Sequence, residues 1–295
     1  MIARTLLPNT FSALRLIAIG VVVFTLLCSN AQAQASLNTS ELGTLGDSVR
    51  RPEIGKADAT EFFQSQKLVQ CCEAINEGDT DKLKSLLRDK VDLNATGLGG
   101  TTLLHWALAK NQFEAFKLLL EHGASPDLAL THSMPGLAGH FIEGDSVLMT
   151  AVSFGMSRLK FFFEALPYTK QPNQQRINGQ SLLINYVSHV TDVDTEGVEK
   201  ILKVKTDINL RDNLGMTACH HAIQWQHTEV CKLLLDRGAD WTIKTRKGKT
   251  LADLTEWELK SERKSPTSAK LERELIKLLN QIQTLDREKQ LQENK

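Results

Sequence analysis

The sequence predicts an all-α protein, built as a solenoid of about six helix-turn-helix units with a capping helix at each end. First, the stretch Gly100 to Ala107 returns as Gly215 to Ala222, 115 residues later. Second, glycines at 100, 144, 179, 215 and 248 recur 44, 35, 36 and 33 residues apart, as expected of turns that need a positive φ. Third, apolar residues within the units follow helical spacing, as at Phe116, Leu119 and Leu120. Units of this length bury their apolar faces by stacking.

Residues 1–33 are typical of an export signal. Arg4 and Arg15 are their only charges, and Leu16 to Leu27 is a nearly unbroken apolar run. Ala31-Gln32-Ala33 supplies the small-x-small pattern of a cleavage site. The apolar run is short for a membrane-spanning helix, which needs about 20 residues. We expect a mature chain that begins near Gln34 in a bacterial periplasm or beyond, with an uncleaved, membrane-anchoring helix as the alternative.

The segment between this signal and the first repeat divides into a leader and a helix start. Residues 34–57 contain Ser, Thr, Gly, Pro and Asn without periodicity, which predicts a flexible leader. Asp58-Ala59-Thr60-Glu61 has the spacing of a capping box. We therefore expect a helix over about 59–76 that merges with the first repeat.

The repeated pattern resembles the ankyrin repeat, whose signature is Gly-x-Thr-Pro-Leu-His-x-Ala followed by Leu-Leu-Leu-x-x-Gly-Ala-Asp, with a period of about 33 residues. Here Gly100-Thr101-Thr102-Leu103-Leu104-His105-Trp106-Ala107 leads into Leu118 to Ala124, and Gly215 to Ala222 leads into Leu233 to Asp240. The proline of the signature is missing throughout. The first unit aligns through Ala74, which lies 33 residues before Ala107. The resemblance covers residues 58–262, with units at about 58–97, 98–130, 142–172, 177–210, 213–245 and 246–262.

An insertion interrupts the regular spacing after the second unit. The 44-residue step from Gly100 to Gly144 holds about 11 extra residues, which fall within 128–143. Insertions in a solenoid go to loops on one face, which is often the binding face. We therefore expect the 128–143 insertion to take part in recognition.

Residues 263–295 are predicted to form a C-terminal capping helix and tail. Ser265-Pro266 is a favourable helix start. An apolar stripe steps by 4, 3, 4 and 3 residues through Leu271, Leu275, Leu278, Ile282 and Leu285. This stripe favours a helix that caps the last repeat and frays after Leu285, and a short dimeric coiled coil is the alternative.

Composition and motifs indicate a protein that is not an enzyme. The chain has 35 basic and 35 acidic residues, and removal of residues 1–33 leaves 33 and 35, so no general attraction to nucleic acid is expected. Gly144-Asp145-Ser146-Val147 resembles a lipase nucleophile block, but the repeat register explains its glycine and serine. Repeat positions likewise account for His220 and His227, so no metal or cofactor is expected. Cys219 and Cys231 occupy core positions, and the sequence is compatible with either two free thiols or a disulfide between them.

The ankyrin resemblance implies a scaffold that binds another protein and carries no cofactor. In such units the exposed position of the first helix lies ten residues after the turn glycine. Counting gives Lys110, Phe154, His189, Trp225 and Glu258, which stacking would place in one row along the concave face. The first four are the candidate binding residues. We expect a monomer without membrane insertion of the mature chain. Alternatives are an enzyme or enzyme accessory in the cell envelope, and a secreted factor acting on a host cell.

Overall fold

The computed structural model describes residues 52–54, 56–134, 141–190, 193–260 and 268–293. All of them belong to the unit that spans Arg51–Lys295. The predicted export signal, most of the leader and the Ser265-Pro266 helix start lie outside the described residues. None of the described helices has both the length and the apolar character that a bilayer span requires.

The described part of the chain forms twelve α-helices in six consecutive pairs. The first helices of the pairs are α1 Gln66–Glu77, α3 Leu103–Lys110, α5 Val147–Ser153, α7 Leu182–His189, α9 Ala218–Gln224 and α11 Leu251–Lys260. The second helices are α2 Thr80–Leu87, α4 Phe113–Glu121, α6 Leu159–Ala165, α8 Thr195–Lys203, α10 Thr228–Asp236 and α12 Ser268–Glu293. Apart from isolated β-bridges, these residues contain no β-structure.

The pairs stack in chain order, so the predicted all-α solenoid is confirmed. Each first helix contacts the first helix of the next pair, from α1 through α11. Second helices form the other layer, with contacts between α2 and α4, α4 and α6, α8 and α10, and α10 and α12. The core runs through the whole stack between these two layers. Long α12 therefore takes the place of the second helix in the sixth pair.

Threonine–histidine pairs begin two of the first helices. The Thr102 side chain accepts a hydrogen bond from the His105 amide, and the His105 ring nitrogen Nδ1 accepts one from the Thr102 amide at 3.3 Å. Thr217 and His220 repeat the arrangement in the fifth pair, with an amide–Nδ1 distance of 3.2 Å. These bonds satisfy helix amides that would otherwise lack acceptors. Both histidines are buried, so the repeat signature builds the core here and does not form an exposed site.

The N-terminal helix is shorter than predicted. The capping box of Asp58 and Glu61 is confirmed, but it starts only a short 3₁₀ helix, Ala59–Glu61, and α1 begins at Gln66. The expected single helix over 59–76 is wrong because the Phe62 carbonyl accepts a hydrogen bond from the Leu98 amide at 2.9 Å. The Phe62 ring packs edge-on against Trp106, with centroids 5.3 Å apart.

The C-terminal helix packs on the last repeat as predicted for a cap. Leu275, Leu278 and Ile282 are buried, and α12 contacts both α10 and α11. The expected fraying after Leu285 is wrong, because α12 continues to Glu293. Trp241 donates a hydrogen bond from its indole to Asp286 at 2.6 Å, which ties this part of α12 to the fifth unit.

The turn glycines have the positive φ that their recurrence predicts, including +80° at Gly179. A Cβ at Gly179 would lie 2.6 Å from the backbone nitrogen of Asn213 in the next turn. We expect Gly179→Ala to lower the free energy of unfolding by roughly 3 kcal/mol or more. Left-handed backbone at a non-glycine residue costs about 1–2 kcal/mol, and overpacking adds about 1–3 kcal/mol.

Gly238→Ala is the matched control for this prediction. Gly238 also has a positive φ, +89°, but a Cβ there would meet no atom within 4 Å. Only the backbone cost of about 1–2 kcal/mol should therefore remain. Urea unfolding followed by circular dichroism compares the two variants, and equal losses would show that the neighbouring turn yields without cost.

Candidate protein-binding face

The turns between units form one continuous edge of the stack. Each turn closes on itself, as where the Asp212 amide donates to the Met216 carbonyl at 2.9 Å. Neighbouring turns are joined through their backbones, with the Asn213 amide on the Asn178 carbonyl at 2.9 Å and the Arg246 amide on the Leu214 carbonyl at 2.8 Å. The first helices follow directly after these turns, so turns and first helices together form the candidate binding face.

The four candidate residues occupy equivalent places on this face. Lys110 and His189 are the last residues of α3 and α7, and Phe154 and Trp225 directly follow α5 and α9. We call them the helix-end row. Trp225 is 38% exposed, and the other three are half-buried. The count of ten also led to Glu258, which is only 7% exposed, so its expected exposure is wrong.

The half-buried members of the row have neighbours within the chain. The Lys110 ammonium lies 5.4 Å from the centre of the Trp106 ring. The Phe154 ring packs edge-on against Phe141 at 5.7 Å. His189 Nδ1 lies 3.1 Å from the Asn185 carbonyl oxygen. Phe154 therefore fills space inside the stack as well as reaching its edge, and binding by this row stays a prediction.

The described ends of the 128–143 insertion pair with each other and pack inward. The Met134 amide donates to the Phe141 carbonyl at 2.9 Å, and both side chains are buried. The Phe141 ring lies 6.4 Å from the ring of His105 and also contacts Phe154. The insertion is thereby anchored on the second and third units, beside one end of the helix-end row.

A groove that sequence reasoning missed lies between the fifth and sixth units. It has a volume of about 550 Å³, and we call it the C-terminal groove. Its apolar lining comes from Leu214, Met216, Ile223, Leu254 and Trp257. Leu214 is 61% exposed and Trp257 is 59% exposed. The available signals were a leucine directly before a turn glycine, and a tryptophan one residue before the position that was counted.

A run of positive charge borders this groove. Residues 244–249, the basic turn, include four exposed cations: Lys244, Arg246, Lys247 and Lys249. Three of them line the groove, namely Arg246, Lys247 and Lys249. Asp253 lines the groove beside this turn. Hydrogen bonds from Thr250 lower the pKa of Asp253, and the positive charges of Lys249 and Lys244 lower it further. The groove thus combines an apolar floor with charged walls in which cations are in excess.

A buried hydrogen bond positions the turn that carries Leu214. His221 Nε2 lies 2.8 Å from a carboxylate oxygen of Asp212, and both side chains are buried. Burial raises the pKa of Asp212, but hydrogen bonds from His221, Met216 and Leu214 outweigh it and hold the pKa below its ordinary value. Asp212 therefore stays ionised and fixes the shape of the turn, a structural role.

The other sequence candidates for chemistry also have structural roles. Asp145 accepts two hydrogen bonds from Arg176, both at 2.7 Å, and the Ser146 side chain caps α5. Cys219 and Cys231 are both buried thiols. Burial raises the pKa of Cys231 well above its ordinary value, and the neighbouring Cys219 adds to the rise. The residues that the structure describes contain no cluster of side chains suited to a metal ion.

Comparison with known proteins agrees with this architecture. The family model described as ankyrin repeats (3 copies) matches residues 68–170 and 148–245. An ankyrin repeat protein of Acanthamoeba polyphaga mimivirus is 24% identical over 197 residues, 55% of this chain and 24% of that protein. An L-asparaginase of Dirofilaria immitis is 29% identical over 169 residues, 57% of this chain and 26% of that protein. The chain thus spans about a quarter of the length of these relatives.

The fold is also found in solved structures. An ankyrin repeat domain from Acinetobacter baumannii superimposes with a TM-score of 0.54 at 21% sequence identity. The superposition covers 70% of this chain and 96% of that domain. At this level of identity, the likeness shows the fold.

Proposed function

Since the chain belongs to the ankyrin-repeat family, we propose that it is an exported scaffold that binds another protein through the concave face of its stack and the 128–143 insertion. Ankyrin repeats are generally modules for protein–protein interaction. The observation that carries the proposal is Trp225, a residue that is 38% exposed at the end of α9 on the candidate face. Exposed tryptophans are enriched among the residues that dominate binding energy.

The contact surface that we propose runs along the helix-end row. Trp225 is its aromatic anchor, Phe154 and His189 lie at equivalent positions on preceding units, and Lys110 marks the edge. The Phe141 ring of the insertion contacts Phe154, which supports the insertion as the neighbouring wall of the same surface. A partner that lies along this row would contact successive units, as expected for a stacked array.

Trp225→Ala is expected to weaken binding of the natural partner by about 2 kcal/mol or more, because the truncation removes the aromatic anchor of the surface. The melting temperature should stay nearly unchanged, because the side chain is not part of the buried core. Capture of partners from the envelope fraction, identified by mass spectrometry, supplies the ligand, and titration calorimetry measures its affinity for each variant.

Tyr168→Ala is the matched control for Trp225→Ala. Tyr168 is also an aromatic residue with 38% exposure, but it lies in the 3₁₀ helix after α6 and not in the helix-end row. Equal losses of affinity in both variants would contradict the proposed surface. A large loss of stability in Trp225→Ala would instead place Trp225 in the core, and the surface would be abandoned.

We further propose that the chain is exported and cleaved after Ala33. The support is the Arg4 to Ala33 pattern, a charged start, an apolar run and a small-x-small end. N-terminal sequencing of protein recovered from the periplasmic and extracellular fractions is expected to begin near Gln34. Recovery of Met1 to Ala33 on the membrane-bound protein would favour an anchored form, and recovery from the cytoplasm alone would contradict export.

A further inference from the structure

We infer that the C-terminal groove binds an acidic segment of a partner protein that inserts a bulky apolar side chain between the fifth and sixth units. This inference rests on the proposed function, that the chain binds another protein, and names a binding site and the chemistry of the ligand. It concerns residues outside the helix-end row. The groove volume of about 550 Å³ falls within the range of roughly 300–1,000 Å³ for ligand pockets.

The apolar part of the groove is built to receive a side chain. Leu214 lies in the turn of the fifth unit and Trp257 lies in α11, and both residues are more than half exposed. Met216 and the buried Ile223 form the floor between them. Leu214 and Trp257 thus expose apolar surface in the same groove, and apolar surface concentrated in a groove is typical of a binding site.

The walls of the groove are firmly held, so the site exists before the ligand arrives. The Arg246 amide donates a hydrogen bond to the Leu214 carbonyl at 2.8 Å, which joins the turns of the fifth and sixth units. Arg211 bridges the same turns, because its guanidinium donates to the Lys244 carbonyl at 3.0 Å. A preformed site avoids the entropy cost of ordering the protein when the ligand binds.

The charge around the groove selects the ligand. Lys244, Arg246, Lys247 and Lys249 form no ion pair with any carboxylate in the described part of the chain. Exposed Arg211 adds a fifth cation in the neighbouring turn. These cations stand beside the apolar floor, so a segment with an apolar anchor next to carboxylates matches both features. Such complementarity speeds encounter and selects partners more than it adds affinity.

A peptide fits this site better than a nucleic acid or a membrane does. Asp253 also lines the groove, and its carboxylate would oppose a continuous row of phosphates. The whole chain carries no excess positive charge, with 35 basic and 35 acidic residues. A peptide can place its carboxylates against the basic turn alone, and its apolar side chain against Trp257.

Selection from a displayed random peptide library on the full-length protein tests the inference directly. Enriched peptides are expected to carry net negative charge next to Leu, Phe or Trp. A fluorescein-labelled copy of the most enriched peptide is then titrated against variants by anisotropy. Trp257→Ala and the double variant Arg246→Glu/Lys247→Glu should each weaken binding at least tenfold. The wild-type affinity should fall as salt is raised.

Matched controls change residues of the same kind elsewhere. Met156→Ala removes another exposed apolar side chain, 57% exposed, in the third unit. Lys203→Glu/Lys232→Glu reverses two exposed cations on the second helices α8 and α10. Both controls should bind within twofold of the wild type, and circular dichroism melts of all variants verify that they fold.

Several results would overturn the inference. These are enrichment of basic or uncharged peptides, no enrichment at all, or equal effects in the variants and their controls. Binding of single-stranded RNA or of phosphatidylserine vesicles that depends on Arg246 and Lys247, without acidic peptides, would assign the groove to another ligand. If Trp225→Ala weakens binding of the natural partner but Trp257→Ala and Arg246→Glu/Lys247→Glu leave its affinity unchanged, the proposed function stands and this inference fails.

Discussion

Arg176→Met is expected to lower the free energy of unfolding by about 3–5 kcal/mol, because it leaves a buried carboxylate without its partner. Asp145 is 0% exposed, and the Arg176 guanidinium donates two hydrogen bonds to it at 2.7 Å. A third guanidinium nitrogen donates to the Asn185 side-chain oxygen at 2.9 Å. The substitution therefore breaks a satisfied hydrogen-bond network between the third and fourth units. The negative charge of Asp145 stays in the core without a counterion.

The loss caused by Arg176→Met should depend on pH. Burial raises the pKa of Asp145 to about 6 even with Arg176 opposing the shift. Without Arg176 the pKa should rise further, so Asp145 takes up a proton as the pH falls and no longer buries a charge. The difference in free energy of unfolding between the variant and the wild type is therefore expected to be smaller at pH 5 than at pH 8.

Two comparisons make this measurement decisive. The double variant Asp145→Leu/Arg176→Met removes both charges and should be more stable than Arg176→Met alone. Arg237→Met breaks the ion pair of Arg237 with Glu199 at the surface, which should cost only about 0–1 kcal/mol. Urea unfolding at each pH measures all three variants. A loss in Arg176→Met no larger than that in Arg237→Met would show that the buried network contributes little.

The second large effect is a loss of stability in mild acid that originates in the repeat signature. Burial lowers the pKa of His105 to about 3 and that of His220 to about 4. In both residues Nδ1 faces a backbone amide, so the folded state needs this nitrogen unprotonated. Below the ordinary pKa of about 6.5 the unfolded chain binds more protons than the folded protein, and folding becomes less favourable.

The free energy of unfolding should therefore fall as the pH drops from about 6.5 towards 4. Each of the two histidines contributes on the order of 1.4 kcal/mol per pH unit. Between about pH 6 and its ordinary pKa, Asp145 instead raises the free energy of unfolding as the pH falls. The two histidines therefore act against one carboxyl group. The contribution of the histidines is fully present above pH 6.5 and is progressively lost below it.

Urea unfolding between pH 4.5 and pH 7.5 measures this slope, and His105→Gln provides the control. The variant starts from a lower stability but should lose less stability per pH unit, because one histidine fewer takes up a proton on unfolding. His132→Gln, which replaces an exposed histidine, is the matched comparison for the replacement of a buried one. A stability profile that is flat over this range would contradict the neutral, buried state of His105 and His220.

The helix ends and the C-terminal groove show where sequence reasoning stops. Counting from each turn glycine placed Lys110, Phe154, His189 and Trp225 at the ends of successive first helices, because the turn and helix lengths are local properties. Whether a side chain at such an end is exposed depends on its neighbours. Phe154 packs on Phe141 from the insertion, and in the last unit Glu258 is buried while adjacent Trp257 faces outward.

By itself the sequence determined the repeat architecture of this protein. Positive-φ glycines and apolar spacing act within one unit, so they can be recognised from nearby residues. Only the tertiary structure decided the break after Glu61, the continuation of α12 to Glu293, and the groove beside the basic turn. Each depends on residues far apart in the chain, such as Phe62 with Leu98, Trp241 with Asp286, and Leu214 with Arg246. Long-range contacts of this kind override local preference, since packing and backbone pairing outweigh the small differences in propensity.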